Sequence, residues 1–563
     1  MKRKILAVLL TVTLLVAILI PATVSAATTF TILHTNDMHS RVTEGKYAGM
    51  GLAKLKTLVD EYEAANPGVI LMDAGDAVHG QTFATLEEGA SVIEVMNAVG
   101  YDVMTAGNHD FNYGYERLLE LDDMADFSIL GANVLNSMGK SILTEYQVFT
   151  VNGITVGVFG LCTPETTYKT HPDNVAGLTF EDPVVTAARM VAELEGTVDV
   201  IVALAHLGVD DASTDTSIRV AENVEGIDVI IDGHSHTTLS EGMMVGDTLI
   251  ASAGSYDKNL GVVTVTVDGD SVTAVASLIT KDDAEDTVED PGIAAMIEEI
   301  EAAHEEILSE EVGRVPFELN GERAFVRTGE TNLGNLITNA MLEETGADCA
   351  LTNGGGIRAS IDPGYITKGE IITVLPFGNY IITKDVTGAT VKEALEHGTA
   401  AYPDAEGMFP HVAGMTFKID VSRPAGDRIV DLMIGGQPVD LEASYILATN
   451  DFMAAGGDGY DMLNVETVNE FDALDEAVIS YIMARGIIAP TRENRVMAVD
   501  SGYSGPSTVP VVPSGDVYVV VAGDTLSAIA AANGTTWQAI YELNMDTIDD
   551  PNLIYIGDQL MMP

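Results

Sequence analysis

Short runs of Val, Ile and Leu recur along the first half of the chain, and each run ends in Gly, Asp, His or Asn. Examples are "FTILHTND", "GVILMDAGD", "DVMTAGNHD", "DVIVALAHLG" and "DVIIDGHSH". Continuous apolar runs predict strands that are buried on both faces, and their alternation with helical patterns predicts an α/β domain over residues 27–289. Polar residues then fall at the strand ends, where the sites of α/β sheets are usually built.

The pattern changes after this first domain. Residues 290–313 have helical spacing with acidic solvent positions and predict a connecting helix. A second α/β pattern covers residues 314–500. Residues 501–516 are rich in Ser, Pro and Gly without a period and predict a linker, and residues 517–563 form a short module without Lys or Arg.

Residues 1–26 have the pattern of a secretory signal peptide. A basic tip precedes an apolar stretch from Ile5 to Ile20, and a small-residue site ends at Ala26, which predicts cleavage there. An uncleaved anchor is the alternative, because about 16 apolar residues approach the length of a membrane span. No later stretch is long and apolar enough to cross a membrane, so we expect a secreted protein without a span after cleavage.

The strong negative charge of the chain limits the kinds of molecule that it can bind. The 563 residues include 27 basic and 85 acidic side chains, with a formal net charge of −58. Nucleic-acid phosphates would repel such a chain, which excludes polymer binding through a basic face. A small anionic substrate remains compatible where metal ions and a few arginines reverse the local field. The two cysteines, Cys162 and Cys349, are too few for a disulfide scaffold and predict buried free thiols, with one bridge as the alternative.

Candidate metal ligands lie at several strand ends of the first domain. One histidine after a strand is usually structural, but repetition within one domain indicates a metal site. Oxygen and imidazole ligands in this mixture suit Zn²⁺, Mn²⁺, Fe or Co rather than Ca²⁺. Seven residues favour two ions, and such a pair polarises a phosphoryl group and generates hydroxide near neutral pH. The candidates are Asp37, His39, Asp76, Asn108, His206, His234 and His236.

The second domain contains residue types that suit a nucleotide. Glycine-rich turns in "LTNGGGIRASI" and "NDFMAAGGDGYDM" bring backbone close to a ligand. Two arginines, one in "VRTGETNLGNLITNAM" (326–341) and one in "LTNGGGIRASI", supply positive charge. Two phenylalanines offer flat faces, and a base stacked between them would gain about 1–3 kcal/mol per stack. Each Phe alone would more often belong to the core, but beside these turns and arginines the ligand interpretation is favoured.

The ligand order Asp-x-His, Gly-Asp, Gly-Asn-His-Asp, His, Gly-His-x-His resembles the calcineurin-type metallophosphoesterases. The second domain resembles the substrate domain of the 5′-nucleotidase family, which includes UDP-sugar hydrolases and ecto-5′-nucleotidases, so the resemblance covers residues 29–498. It implies a metallophosphoesterase sandwich domain followed by an α/β substrate-binding domain. It also implies that Asp37, His39 and His236 hold one ion, that Asn108, His206 and His234 hold the other, and that Asp76 bridges them.

The same resemblance assigns roles to other residues. His109 would stabilise the transferring phosphoryl group or assist the leaving oxygen. Phosphate in one domain and nucleoside in the other imply that the domains close on each other. For the substrate, the resemblance implies that Arg327 and Arg358 contact phosphate or ribose, Asn353 reads the base edge, Phe377 and Phe452 sandwich the base, and Asp458 binds ribose hydroxyls.

The residue type at position 112 is compatible with two classes of substrate. Many 5′-nucleotidases have an Asp at this position, which pairs with the catalytic histidine. We expect the amide oxygen of Asn112 to accept from the imidazole of His109 and to orient it, without the charge that stabilises an imidazolium. Asn at this position resembles the 2′,3′-cyclic-nucleotide 2′-phosphodiesterase/3′-nucleotidase branch, which is the alternative to 5′-nucleotidase.

The C-terminal module resembles a LysM module, with a βααβ fold. The resemblance rests on Gly523-Asp524-Thr525-Leu526, Asn544 and "PNLIYIGDQLMMP", and it implies binding to peptidoglycan or another N-acetylglucosamine glycan. A spacer role is the alternative.

Together these features predict a secreted, cell-wall-associated enzyme with two divalent ions that acts on 5′-nucleotides and, as a further possibility, on UDP-sugars. A catalytically silent wall-binding protein is the rival from another class.

Overall fold

A computed structural model describes residues 27–45, 48–66, 68–210 and 213–500 and parts of 517–562. Two compact units divide after Val499. The predicted signal peptide (1–26) and the linker (501–516) lie outside the described residues. Among the helices that are described, none combines the length and apolar character that a membrane crossing requires.

Two six-stranded sheets pack face to face in the first lobe, which we define as residues 27–308. The order of the first sheet is Ser271–Thr280, Asn259–Asp268, Thr28–Thr35, Val69–Asp73, Val103–Thr105 and Ser128–Leu130. The order of the second sheet is Met243–Val245, Thr248–Ala251, Val229–Asp232, Val200–His206, Ile154–Cys162 and Tyr146–Val151. The central strands are parallel, as Ile32 beside Ile70 and Val156 beside Val200 show. The carboxyl ends of these parallel strands therefore meet along one edge.

Apolar side chains of both sheets form the middle of the sandwich, including Ile32, Met72, Val158 and Val202. Helices cover the outer faces, so the parallel strands are buried on both sides, as their continuous apolar runs predict. One outer face carries the helices Leu52–Ala65, Ala90–Val99 and Tyr115–Met124, and the other carries Pro183–Leu194 and Ser217–Asn223.

The predicted connecting helix is shorter than residues 290–313. It spans Pro291–Leu308 and begins after Asp290, whose side chain accepts from the backbone N–H groups of Gly292 and Ile293. Its buried residues join the first-lobe core. The following residues Glu311–Val315 form a strand instead, so the helix belongs to the first lobe.

The second lobe, residues 311–499, contains a five-stranded and a four-stranded sheet. The larger sheet has the order Pro410–Ala413, Cys349–Asn353, Ser444–Asn450, Tyr380–Thr387 and Thr467–Ala473. The smaller sheet has the order Gln437–Pro438, Ile429–Ile434, Met415–Asp420 and Val496–Val499, and the strands Glu311–Val315 and Gly364–Thr367 pair separately. The helices are Arg323–Val326, Asn332–Thr345, Lys368–Val374, Gly388–Gly398, Asp451–Ala454 and Leu474–Met483.

The C-terminal unit has the predicted βααβ order. Its elements are Val517–Val519, Leu526–Ala532, Trp537–Leu543 and Gln559–Met561, and the two strands are antiparallel. Ile529, Ile540 and Leu560 are buried in its small core. The Asn544 side chain donates to the carbonyl of Ile540 and exchanges hydrogen bonds with the backbone of Met561, which ties the second helix to the last strand.

The two cysteines are free and buried, as the sequence predicts. Cys162 ends a first-lobe strand, and Cys349 begins a second-lobe strand. Burial raises the pKa of each thiol to about 12. Neither thiol is therefore ionised near neutral pH.

Candidate metal centre and nucleotide site

The predicted metal ligands lie in loops at the carboxyl ends of the parallel strands, and side chains from different loops converge. Nε2 of His206 is 3.2 Å from Oδ2 of Asp76. Nε2 of His236 is 3.5 Å from Oδ1 of Asp37 and 3.1 Å from Nε2 of His39. Ligand atoms of these five residues form overlapping groups within 4.8 Å, an arrangement that suits metal ions shared between loops.

The other two predicted ligands, Asn108 and His234, lie beside this cluster, Asn108 next to His109, whose backbone N–H donates to Asp76. Asn108 donates its side-chain N–H to the carbonyl of Lys169 at 2.8 Å, while its buried Oδ1 has no hydrogen-bond partner. The ring of His234 lies 5.1 Å from that of His206, measured between centroids. A buried amide oxygen without a partner is costly in a protein interior, and a metal ligand role would satisfy it.

In His206 and His234, one ring nitrogen makes a hydrogen bond that orients the imidazole and leaves the other nitrogen for a metal. Nδ1 of His206 is 2.7 Å from the carbonyl oxygen of Ala74, so Nδ1 carries the proton and Nε2 is free to bind a metal. Nε2 of His234 lies 2.8 Å from the Glu165 carboxylate. Burial lowers the pKa of His234 to about 3, which keeps the ring in the neutral form that metals require.

The backbone of the ligand loops is strained. A positive φ is rare for residues other than glycine and costs about 1–3 kcal/mol where the surrounding structure enforces it. Five of the seven predicted ligands adopt such angles: Asp37 (52°), His39 (47°), Asp76 (59°), His234 (74°) and His236 (53°). The concentration of strain in these loops supports a functional role for the cluster.

Asp110 organises the loops, although the sequence alone did not single it out. Its carboxylate accepts from the backbone N–H groups of Gly107, Asp76, Ala77 and Val78 at 2.8–3.0 Å. Gly107 is required beside it, because a β-carbon there would collide with the Asp76 carboxylate. The run Asn-His-Asp at the strand end therefore combines a candidate ligand, a candidate catalytic group and a loop anchor.

His109 lies at the edge of the cluster, between the lobes. Its backbone N–H donates to Oδ1 of Asp76 at 2.8 Å. Tyr380 of the second lobe stacks on its ring at 4.5 Å, and Oε2 of Glu470 lies 3.8 Å from its Nε2. Burial lowers the pKa of His109 to about 4. Sequence reasoning missed both second-lobe residues, because no motif marks them.

The side chain of Asn112 is oriented differently from our expectation. Its amide nitrogen, and not its oxygen, lies 3.3 Å from Nδ1 of His109. The oxygen accepts from the hydroxyl of Thr170 at 2.8 Å instead. The structure thus keeps Asn112 beside the imidazole but makes it a hydrogen-bond donor.

The predicted substrate residues come together in the second lobe. Asn353 donates to the carboxylate of Asp458 at 2.8 Å, and the guanidinium of Arg358 lies 5.6 Å from the ring centre of Phe377. Phe377 and Phe452 are 51% and 45% exposed, so both large aromatic faces are accessible.

Glycine turns hold this group together. A β-carbon at Gly457 would collide with the ring of Phe452, and one at Gly407 would lie within 4 Å of both Asp458 and Arg327. Nε of Arg327 is buried without a partner, and burial, together with its neighbours Arg323 and Arg358, lowers its pKa. An anionic group would relieve this concentration of positive charge.

Three family descriptions match the sequence: calcineurin-like phosphoesterase over residues 30–238, 5′-nucleotidase C-terminal domain over 311–465 and LysM domain over 518–563. The chain is 31% identical over 528 residues to the 5′-nucleotidase of Bos taurus, a match that covers 83% of this chain and 90% of that protein. It is 34% identical over 482 residues to the trifunctional nucleotide phosphoesterase protein YfkN of Bacillus subtilis (strain 168), a match that covers 77% of this chain and 32% of that longer protein.

Among solved structures, the 5′-nucleotidase precursor from Thermus thermophilus is 31% identical, with a TM-score of 0.51, and the match covers 84% of this chain and 99% of that one. The sandwich and its ligand cluster define a calcineurin-like phosphoesterase, a metal-dependent class. With the second lobe and the relatives included, the chain belongs to the 5′-nucleotidase family and carries a LysM domain at its C-terminus.

Proposed function

We propose that this protein is a secreted, dimetal nucleotide phosphohydrolase that releases phosphate from 5′-nucleotides. One observation carries the proposal: a cluster of metal-ligand side chains and a group of nucleoside-type residues lie in the two lobes of one compact unit. Phosphate chemistry and nucleoside recognition are then available to one substrate. The membership of the 5′-nucleotidase family supports the same activity.

The ligand cluster fits two divalent ions of the Zn²⁺ or Mn²⁺ type. In this proposal Asp37, His39 and His236 hold one ion, Asn108, His206 and His234 hold the other, and Asp76 serves both. When bound, such ions would polarise a phosphoryl group and supply hydroxide near neutral pH. The buried, partnerless Oδ1 of Asn108 and the approach of His206 to Asp76 support this assignment.

His109 would be the side chain beside the metal ligands that contacts the phosphoryl group. Its backbone is fixed on Asp76, and its Nδ1 faces the amide nitrogen of Asn112. Because an amide nitrogen only donates, the ring proton belongs on Nε2, the nitrogen turned away from Asn112. We infer that this N–H donates to the phosphoryl group or to the leaving oxygen.

The nucleoside would bind in the second lobe. Phe377 and Phe452 would hold the base between their exposed faces, and Asn353 would read its edge. Asp458 would accept from the ribose hydroxyls, while Arg327 and Arg358 would contact ribose or phosphate. The proximity of the Asn353 and Asp458 side chains supports one shared site. Hydrolysis of UDP-sugars would use the same residues.

A second candidate function is that of a 2′,3′-cyclic-nucleotide 2′-phosphodiesterase/3′-nucleotidase. Asn112 favours it, because this residue leaves His109 without a directly paired carboxylate on Nδ1. The name of the Bacillus subtilis relative, a trifunctional nucleotide phosphoesterase, is consistent with several activities in one family.

The LysM domain would attach the enzyme to the cell wall through N-acetylglucosamine glycans such as peptidoglycan. Its described helices and strands have the βααβ order, and the module contains no Lys or Arg. A neutral sugar recognised by hydrogen bonds suits that composition. A chain ending at Val499 should lose pelleting with insoluble peptidoglycan and keep its kcat, whereas equal pelleting would contradict this role.

A substrate panel tests the catalytic proposal. The mature protein is assayed with AMP, UMP, ATP, UDP-glucose and 2′,3′-cyclic AMP, each with Mn²⁺, Zn²⁺, Co²⁺ or Mg²⁺ and phosphate release as the readout. We expect AMP and UMP to be the best substrates and Asp76→Ala to abolish turnover. Preference for the cyclic nucleotide would select the second candidate, and no phosphate release with any ion would identify a silent wall-binding protein.

A further inference from the structure

His79 is a buried imidazole that the proposed chemistry does not use. It is 0% exposed and follows the Asp76 loop. Its Nδ1 lies 3.2 Å from the hydroxyl of Tyr380 and 3.3 Å from the amide nitrogen of Asn112. Its Nε2 lies 3.7 Å from Oε2 of Glu476. Tyr380 and Glu476 belong to the second lobe, so His79 contacts both lobes.

Asn112 joins His79 to His109. The amide nitrogen is 3.3 Å from Nδ1 of each ring. The amide oxygen is held by the hydroxyl of Thr170, which in turn accepts from Asn174 at 3.5 Å. This chain fixes which end of the amide faces the imidazoles. An amide nitrogen can only donate, so Nδ1 of His109 accepts and its proton lies on Nε2.

Three rings lie nearly parallel at this point. Tyr380 stacks on His109 at 4.5 Å and 22°, and on His79 at 5.2 Å and 28°. The two imidazoles are 6.4 Å apart and inclined by 14°. A single tyrosine from the second lobe therefore restrains both rings of the first lobe.

We propose that His79 is a positioning residue for His109, that it acts through Asn112, and that Tyr380 and Glu476 complete the arrangement when the lobes are in contact. This inference rests on the proposed phosphohydrolase function. The polar sequence Glu476, His79, Asn112, His109 takes the place of a carboxylate bonded directly to the catalytic ring. Contact with the second lobe, through the stacked ring of Tyr380, holds the imidazoles of His79 and His109 in this alignment.

The environment of His79 supports a fixed, neutral ring. Burial lowers its pKa to about 4, while the nearby carboxylates of Asp472 and Asp475 oppose that shift. A neutral imidazole with Nδ1 accepting carries its proton on Nε2, which faces Glu476. Nδ1 thus contacts both lobes, through Asn112 and Tyr380, while Nε2 faces Glu476 of the second lobe at 3.7 Å without a hydrogen bond.

Two variants test the arrangement by steady-state kinetics. His79→Ala should lower kcat for AMP about tenfold with KM changed less than about twofold, because the ring of His109 loses its orientation but substrate contacts remain. Tyr380→Phe keeps the stacked ring and removes the hydroxyl, so a smaller loss is expected. His304→Ala removes another buried imidazole of the first lobe and serves as the matched control, with kcat unchanged within about twofold.

A double-mutant comparison separates positioning from general damage. Asn112→Asp places a carboxylate directly beside His109, which removes the need for His79. His79→Ala should then cost less than about twofold in the Asn112→Asp background. An equal loss in both backgrounds would assign His79 a merely structural role and overturn the proposal.

A spectroscopic readout keeps this inference separate from the proposed function. Long-range ¹H–¹⁵N spectra of histidine-labelled protein, assigned with His109→Gln, report the tautomer of His109 without turnover. We expect the Nε2–H form in the unaltered protein and a mixture of tautomers in His79→Ala. An unchanged His109 signal in His79→Ala would refute the positioning role, whereas absent phosphate release by the unaltered protein would refute only the phosphohydrolase function.

Discussion

The carboxylate of Glu165 lies 2.8 Å from Nε2 of His234, and Lys169 lies 2.9 Å from the same carboxylate. Lys169 is also the residue whose carbonyl accepts from Asn108. One short turn therefore supports two candidate ligands at once. Burial raises the pKa of Glu165, but the hydrogen bond with His234 and the charge of Lys169 lower it to about 2. The carboxylate is therefore ionised at neutral pH.

We expect Glu165→Gln to weaken retention of one metal ion by about 10–100-fold, because an outer carboxylate orients a ligating imidazole and raises its basicity. Metal content after dialysis against graded chelator measures the change. Glu145→Gln, which alters an exposed partner of Arg189, is the matched control. Retention of both ions at the original chelator concentration would count against this role of Glu165.

Asp110→Ala should destabilise the protein by about 2–5 kcal/mol, because backbone N–H groups of the ligand loops lose their buried acceptor. Urea unfolding gives the free energy of unfolding. Asp122 accepts from a single backbone N–H, that of Ile129, so Asp122→Ala should cost only about 1 kcal/mol. Equal costs for the two variants would show that Asp110 does not organise the loops.

The stability should fall with rising pH where Asp475 ionises. Burial and the neighbouring Glu476 raise the pKa of Asp475 to about 7 from 3.8. The native state then binds more protons than the unfolded chain between about pH 4 and 7, and this contribution to stability decreases through that window.

Asp475→Asn removes this contribution. We expect the variant to gain about 1–2 kcal/mol relative to the unaltered protein between pH 5 and pH 8, measured by urea unfolding at fixed metal concentration. Asp268→Asn at an exposed position should give no such trend. Parallel stability curves for Asp475→Asn and the unaltered protein would contradict a raised pKa.

Phe377→Leu should raise KM for AMP about tenfold, because one stacked face is worth about 1–3 kcal/mol. Hydrolysis of p-nitrophenyl phosphate, which has no nucleobase, should be unchanged within about twofold if phosphate is bound in the first lobe. Equal effects on both substrates would place Phe377 outside the nucleoside site. Phe325→Leu, at another exposed phenylalanine of the second lobe, is the comparison variant.

The sandwich and the positions of the candidate ligands could be predicted from the sequence. Apolar runs define strands, and a polar residue directly after such a run, as with Asp37 or His206, must lie at the sheet edge. The orientation of Asn112 could not be predicted, because it depends on Thr170, which is 58 residues away along the chain.

The contacts between the two lobes could not be predicted from sequence patterns either. Tyr380 begins an apolar strand and gives no sign that it stacks on His109. The end of the helix Pro291–Leu308 was missed as well, because the acidic residues that follow it suit both a helix surface and an exposed strand. Such features are fixed by tertiary packing rather than by local periodicity.

The separation of Cys162 and Cys349 into different lobes, each shielded from solvent, has a practical consequence for maturation. No covalent cross-link needs to form after synthesis, so refolding from urea should require neither a thiol oxidant nor a disulfide isomerase. Air should leave both buried thiols of the folded enzyme unoxidised, and a thiol reductant in storage buffer should bring no benefit.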